Sequence, residues 1–331
     1  MTVNKKIFML KKFLHDLNTP RLRYRIADDV KSNELGQYYF VFDEKRVSSG
    51  KDQKLLNHFD EIGIPVNKTY IDVEGEEYVY FPITIGQMGL AIFHTWLKSG
   101  KDEDKERFLK YPHWFETNAE ESHKYGARWL TKVPLPQYHN PGPWQSAFSQ
   151  GRAINILLRG YQLTGNEDWA DLARLALTPF TFPVEDGGVT SMIKTAPFYE
   201  EYPAEIPTMV LNGMIFALFG IYDYIRVFPE DKLALELFNT GIQTVEDILP
   251  IYDLGYWSRY NLCQAEWYPD IDPATIQYQR LHIAQLEVLY KITEKQVFRK
   301  YAYTFQKQDN IINALRMYSL KYKSLKKINR L

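Results

Sequence analysis

The residues best suited to chemistry lie in three separated runs: FYEEYP (198–203), YDLGYWSRYNL (252–262) and ATIQYQRLHIAQL (274–286). They supply two carboxylates (Glu200, Glu201), three tyrosines (Tyr202, Tyr260, Tyr278) and two cations (Arg259, Arg280). A carboxylate pair can hydrolyse a glycosidic bond when the two groups flank it, but sequence neighbours usually point in different directions. A tyrosine hydroxyl titrates at about 10 when unperturbed, and needs a close cation or hydrogen-bond donors to act as a base. Tyrosine, carboxylate and cation together suit removal of a proton next to a carboxylate, as at C5 of a uronic acid. The carbanion so formed is an enediolate, whose charge calls for an arginine, a lysine or a protonated glutamate in a dry site. An epimerase needs one acid/base group on each face of the sugar ring; a lyase forms the same intermediate and expels the O4 substituent. Tyrosine-rich junctions also simply pack, so residue types alone leave the set open between chemistry and core.

Other chemistries find less support. The chain has no Walker loop, no GxSxG and no HExxH, and its 7 histidines show no metal-ligand spacing, so neither metal nor cofactor is expected. His282 sits at a helix start on an otherwise apolar face, the usual setting of a core histidine. Cys263 is the single cysteine; it rules out an internal disulfide, fits a reducing compartment and lacks a motif that would make it a nucleophile. Forty basic residues balance 41 acidic ones for a net charge of −1, which argues against a chain built to coat nucleic acid. The apolar piece at 7–10, between lysines, is too short for a signal or a membrane span, so the expected location is cytoplasmic. The basic tail at 321–331 reads as a solvated helix end. Aromatics make up 15% of the chain, which suits a carbohydrate cleft but equally a large core.

The elements that must position these residues come from a repeat. Four apolar stretches, IGQMGLAIFHTWLKSG (85–100), SQGRAINILLRGYQLTG (149–165), VLNGMIFALFGIYDYI (210–225) and LHIAQLEVLYKIT (281–293), are each followed by a charged opening and a second amphipathic run. Asn166 and Thr293 are the expected N-caps of two of these second helices. In the third copy Ala234, Phe238, Ile242, Val245 and Leu249 recur at helical spacing, whereas the first helix is apolar nearly all round. That asymmetry separates outer helices from inner ones and predicts a mainly α fold, an (α/α) barrel or toroid of helical hairpins, over residues 81–331. Residues 1–80 are expected to form an N-terminal arm with a small sheet, with strands in 36–47 and 68–81; EDGG (185–188) reads as a hairpin turn. In such a toroid the loops before inner helices gather at one rim, and all three reactive runs lie at such junctions.

At this level of detail the chain resembles a known family. FYEEYP, then MVLNGMIFALFGIYD, LPIYDLGYWSRYNL and a YxxxHIxQL run resemble the C-terminal catalytic domain of D-glucuronyl C5-epimerase, as do PWQSAFSQGRAINILLRGYQLTGNE and YFPITIGQMGLAIF. The likeness extends in order over residues 80–305. It implies an (α/α) barrel that converts D-glucuronate to L-iduronate within heparosan or heparan sulfate, a glycosaminoglycan. It implies that Glu201 and Tyr278 serve opposite faces of C5, with Tyr202 and Tyr260 polarising or positioning the uronate. It also implies a uronate-containing oligo- or polysaccharide as partner, and a homodimer.

One departure bears on the substrate. Where the animal enzymes carry an arginine three residues after the tyrosine matched by Tyr260, this chain has Cys263. Either the carboxylate clamp comes from Arg259, Arg280, Arg152 or Lys194, with His282 and Asn212 as further substrate-binding candidates, or the substrate differs from that of the animal enzymes. Glu200 is expected to be structural. A uronate lyase or glycoside hydrolase on the same fold, and a non-catalytic glycan-binding protein, stand as competing readings.

Overall fold

The computed structural model describes residues 7, 11, 13–17, 25–48, 58–70, 73–75 and 77–330. After a short helix α1 (Glu44–Ser48) come four helical hairpins: α2 (Pro82–Ser99) with α3 (Asp102–Thr117), α4 (Ala147–Thr164) with α5 (Glu167–Leu175), α6 (Leu211–Val227) with α7 (Lys232–Tyr252), and α8 (Ile276–Thr293) with α9 (Gln296–Gln308). A further helix, α10 (Ile311–Lys327), ends the chain. The first helix of each hairpin packs on its counterpart in the next, α2 on α4, α4 on α6 and α6 on α8, which forms the inner layer of an (α/α) barrel.

The sequence dictates this layering. Every residue of α6 from Leu211 to Ile221 is buried, whereas α7 buries one stripe that includes Ala234, Phe238, Ile242, Val245 and Leu249. A helix apolar all round belongs inside, and one with a single stripe belongs at the surface. The outer helices α3 and α5 open on acidic residues at the positive end of their dipoles, and Asn166 caps α5 by accepting the Asp168 N–H at 3.1 Å. Thr293 does not cap α9 as expected. It is the last residue of α8, its hydroxyl bonds back to the Leu289 carbonyl at 2.8 Å, and Lys295 takes the cap position. Glycine sets the inner spacing: a Cβ on Gly220 of α6 would stand 2.3 Å from the Gly151 Cα of α4, so these two backbones touch.

The small sheets only partly follow expectation. Strands β1 (His58–Phe59), β2 (Pro65–Lys68) and β3 (Tyr78–Val79) pair antiparallel in that order, so 68–81 does contribute to a sheet. The run 36–47 does not; it makes a single bridge from Phe40 to Ile26 and then becomes α1. Its aromatics are spent on burial instead, with Tyr38, Tyr39 and Phe40 in the same core as α2, α4 and α6, so the main core crosses the expected boundary at 80/81. Strands β4 (Glu120–Ser122) and β5 (Gly126–Arg128) form a small hairpin before α4. EDGG is not the hairpin turn; it closes a 3₁₀ turn, with Gly187 at φ 87°. The hairpin pairs β6 (Thr190–Ile193) with β7 (Ala196–Tyr199), and Lys194, at φ 57°, turns it.

The tail also departs from expectation. Lys321 and Ser324 of α10 are buried rather than solvated, and Lys321 Nζ donates to Asp272 Oδ1 at 2.6 Å. The apolar piece at 7–10 lies outside the described residues except for Ile7. Among the described residues, no helix is long and apolar enough to cross a membrane.

Candidate active site

Strand β7 carries the chain to the rim and delivers Glu200 and Glu201 in opposite directions. Glu200 is wholly enclosed. Its carboxylate accepts from Ser191 Oγ at 2.5 Å, Thr208 Oγ1 at 2.8 Å and the Met209 N–H at 2.9 Å. Its carbonyl accepts from the Ala147 N–H at 2.9 Å, which ties the loop to the start of α4. Glu201 faces the start of α6, where Asn212 Nδ2 donates to its Oε2 at 3.0 Å. Gln285 of α8 fixes that segment by donating to the Asn212 carbonyl at 2.9 Å. Gly213 makes the approach possible, because a Cβ there would lie 2.3 Å from Glu201 Cβ and 2.5 Å from Oε2.

Burial pushes both carboxyls up to about 7. For Glu200 the donors Ser191, Thr208 and Met209 oppose that rise. For Glu201 the opposing donors are Tyr202 and Asn212, and the neighbouring Glu200 charge adds to the rise. A carboxyl poised near neutrality can both take and return a proton at physiological pH.

Tyrosines surround Glu201. Tyr202 stacks on Tyr138 with centroids 5.7 Å apart and meets Trp144 edge-on at 5.4 Å. Tyr260 and Tyr278 meet edge to face at 5.0 Å. The loop that holds Tyr260 is pinned by backbone bonds, the Tyr260 N–H donating to the Asp272 carbonyl at 2.8 Å and the Leu211 N–H to the Tyr260 carbonyl at 3.3 Å. Burial first, and then the charges of Glu201 and neighbouring tyrosines, raise the phenols of Tyr202 and Tyr260 well above their ordinary value. Both therefore stay protonated and act as donors. The rim thus brings together Glu201, Tyr202, Tyr260, Tyr278 and Asn212.

The other sequence-predicted residues are placed differently. Arg280 is buried in an ion pair with Asp309, 2.9 Å away. Arg259 donates to the Asp270 carbonyl at 3.2 Å. Arg152 lies deep in α4 with its guanidinium boxed by Tyr38, Phe42, Phe148 and Phe216 at 4.7 to 5.7 Å. Lys194 is exposed at its hairpin turn. His282 is wholly buried, and burial pushes it down to about 3, so it is neutral. Ser258 Oγ lies 2.6 Å from Gln279 Oε1 and 2.9 Å from His282 Nδ1. The single hydroxyl proton goes to Gln279, so Nδ1 carries the imidazole hydrogen and donates to Ser258. Arg280, Arg259, Arg152 and His282 lie in internal contacts, and Lys194 faces solvent. Asn212 holds Glu201 through its Nδ2. Among the described residues, no group of three His, Cys, Asp or Glu converges to hold a metal ion.

Several site residues escape sequence reasoning. Tyr70, from the expected arm, feels the charge of Glu201 and hydrogen-bonds with Tyr202; burial keeps it a phenol. Tyr138 and Trp144 come from the loop before α4, where the density of prolines in PLPQYHNPGPW was the available signal. Behind them runs a buried chain: Asn261 Nδ2 donates to Tyr138 at 3.1 Å and to Tyr268 at 2.8 Å, and Tyr268 donates to Asp272 at 2.9 Å. Nothing local in the sequence announces it.

Residues 122–307 match the family described as D-glucuronyl C5-epimerase C-terminus. An uncharacterized protein of Methanocaldococcus jannaschii is 27% identical over 262 residues, 73% of this chain and 82% of that protein. The D-glucuronyl C5-epimerase of Caenorhabditis elegans is 30% identical over 182 residues, 52% of this chain and only 29% of the worm enzyme. The cellobiose 2-epimerase of Spirochaeta thermophila superposes with a TM-score of 0.52 at 12% identity, over 69% of this chain and 58% of that one, a likeness of fold alone. With more than half its length matched, the chain belongs to the D-glucuronyl C5-epimerase family, through that family's C-terminal domain.

Proposed function

We propose that the chain inverts C5 of D-glucuronate residues to L-iduronate in a heparosan-like glycan. The observation that carries this reading is the placing of the buried Glu201 carboxyl, held by Asn212 and poised at about 7, among phenols that stay protonated. Ionised Glu201 takes the C5 proton, and the electron pair of that C–H bond moves into the substrate carboxylate to give the enediolate. Tyr202 and Tyr260 donate hydrogen bonds to its oxygens, and the N-termini of the inner helices add positive potential at the same rim. Tyr278 then gives its hydroxyl proton to the opposite face of C5. The proton held on Glu201 and the charge left on Tyr278 cancel by proton exchange with solvent, which resets the site.

Heparosan-type oligosaccharides in deuterated water provide the test. Deuterium at C5 together with iduronate signals in the NMR spectrum is the expected result. An unsaturated product would instead mean a lyase, and shortened saturated chains a hydrolase; either overturns the reading. The homodimer implied by the family is part of the proposal and is checked by light scattering.

A further inference from the structure

We propose that the outward face of α10 docks on an anionic lipid surface, so that the protein works at a membrane without spanning it. Charge is unevenly shared along the chain. Residues 295–331 contain ten Lys or Arg and one acid, Asp309, whereas residues 1–294 contain 30 basic and 40 acidic residues. That one acid is paired with Arg280. The last two helices therefore present a positive field on a chain that is otherwise acidic.

Helix α10 has two unlike sides. Ala314, Met317, Lys321 and Ser324 recur at helical spacing and are buried. Ala314 and Met317 share a core cluster with Trp257, against which Tyr278 packs, and Lys321 Nζ lies 5.4 Å from the centre of the Tyr260 ring, so this side covers tyrosines of the site. The opposite side opens on Ile311, Ile312 and Leu315, which are 51%, 76% and 54% exposed. It continues from Ile312 through Ser319, Lys323 and Lys326, all exposed and whole turns apart. The apolar end stands at the rim of the site. Asn313 Nδ2 donates to the Gln308 carbonyl at 3.1 Å, Gln308 Nε2 donates to Asp253 Oδ1 at 2.8 Å just past α7, and Asp309 meets Arg280 near the start of α8. Ile251, in the last turn of α7, adds a further exposed side chain. Aliphatic side chains gathered in water mark a contact surface. A lipid surface accepts both parts of this face, the aliphatic side chains entering the headgroup boundary while the lysines meet anionic headgroups. An anionic glycan would use the lysines and leave the aliphatic side chains in water, and a second copy would set like charge against like.

The test is co-sedimentation of the whole protein with vesicles of phosphatidylcholine alone or mixed with phosphatidylglycerol, at low and at high salt. Wild type should bind the mixed vesicles at low salt, and should be released by salt or by leaving out the anionic lipid. Ile312→Ser with Leu315→Ser should weaken that binding by about tenfold or more, and Lys323→Gln with Lys326→Gln by about ten- to thirtyfold. Both pairs change exposed side chains, so the circular dichroism spectrum and C5 exchange on a soluble heparosan-type oligosaccharide should match those of wild type. Absence of wild-type binding to the mixed vesicles at low salt would overturn the inference. Undiminished binding after Ile312→Ser with Leu315→Ser would also overturn it, leaving a basic surface open to any polyanion. A wild-type dimer that the same double change dissolves would give the face to a second copy and overturn it as well.

Discussion

Asp223 and Glu201 are both buried acids at different levels of α6: Glu201 is held by Asn212 in its first turn, and Asp223 lies within the helix roughly 16 Å further along its axis at 1.5 Å per residue. Their surroundings differ in kind. Asp223 Oδ1 accepts from Tyr39 at 2.7 Å and Arg226 at 3.3 Å, and Oδ2 accepts from Arg159 at 2.6 Å and Asn155 at 2.7 Å. Two guanidinium groups and two neutral donors use all of its accepting capacity, and the cluster locks residues 32–39 onto the barrel through Arg226 and Arg159. Glu201 has an asparagine and a tyrosine but, among the described residues, no ion-paired cation, and burial raises its carboxyl. Burial with full ionic pairing builds structure, whereas burial against neutral donors alone leaves a carboxyl that titrates near neutrality, as at both Glu201 and Glu200.

Removing the structural acid should have the largest effect. Asp223→Ala leaves Arg159 and Arg226 without their carboxylate and should cost roughly 3–5 kcal/mol, read by denaturant unfolding. A loss below 1 kcal/mol would break the contrast.

Glu201→Gln should do the reverse. The folded-state pKa of Glu201 lies above the unfolded one, so the wild type is favoured by protonation below pH 4.5 and loses that advantage as pH rises to about 7. The amide has no such loss. The variant should therefore match wild type at low pH and be more stable by about 1–3 kcal/mol at pH 8. Destabilisation at pH 8 would place Glu201 with Asp223 as a structural acid.

Gly213→Ala sharpens the geometric side. The new methyl would push Glu201 aside, and C5 exchange should fall by about ten- to a hundredfold, with a stability loss of about 1–3 kcal/mol from overpacking that helix propensity only partly offsets.

The smallest effect is electrostatic. Exchange should rise with pH along a limb centred near 7 as Glu201 ionises. Glu200→Gln removes the neighbouring charge that raises Glu201 and should move that limb to lower pH by less than about one unit. A shift to higher pH would contradict the assignment.

Much of this was legible in the sequence because it rests on local patterns. The all-round apolarity of α6 and the single stripe of α7 separate inner from outer helices, and that ordering places FYEEYP at the rim. The cap at Asn166 follows the same local logic. What was hidden depends on tertiary partners. Arg280 and Arg259 look available until Asp309 and the Asp270 carbonyl are brought beside them by the fold. Tyr38 to Phe42 carry a strand-like composition that serves the core instead, where tertiary burial overrides propensity. Tyr70 and Lys321 reach the site from the two ends of the chain, and neither has a neighbouring residue that marks it.

In the proposed mechanism Glu201 is the acid/base group of a tyrosine-lined C5 site. Its most direct test is to incubate wild type and Glu201→Gln side by side with a heparosan-type oligosaccharide in deuterated water and read C5 by NMR. Wild type should incorporate deuterium and form iduronate, and the variant, still folded, should be slower by about a hundred- to ten-thousandfold. Exchange in Glu201→Gln at the wild-type rate would contradict the account.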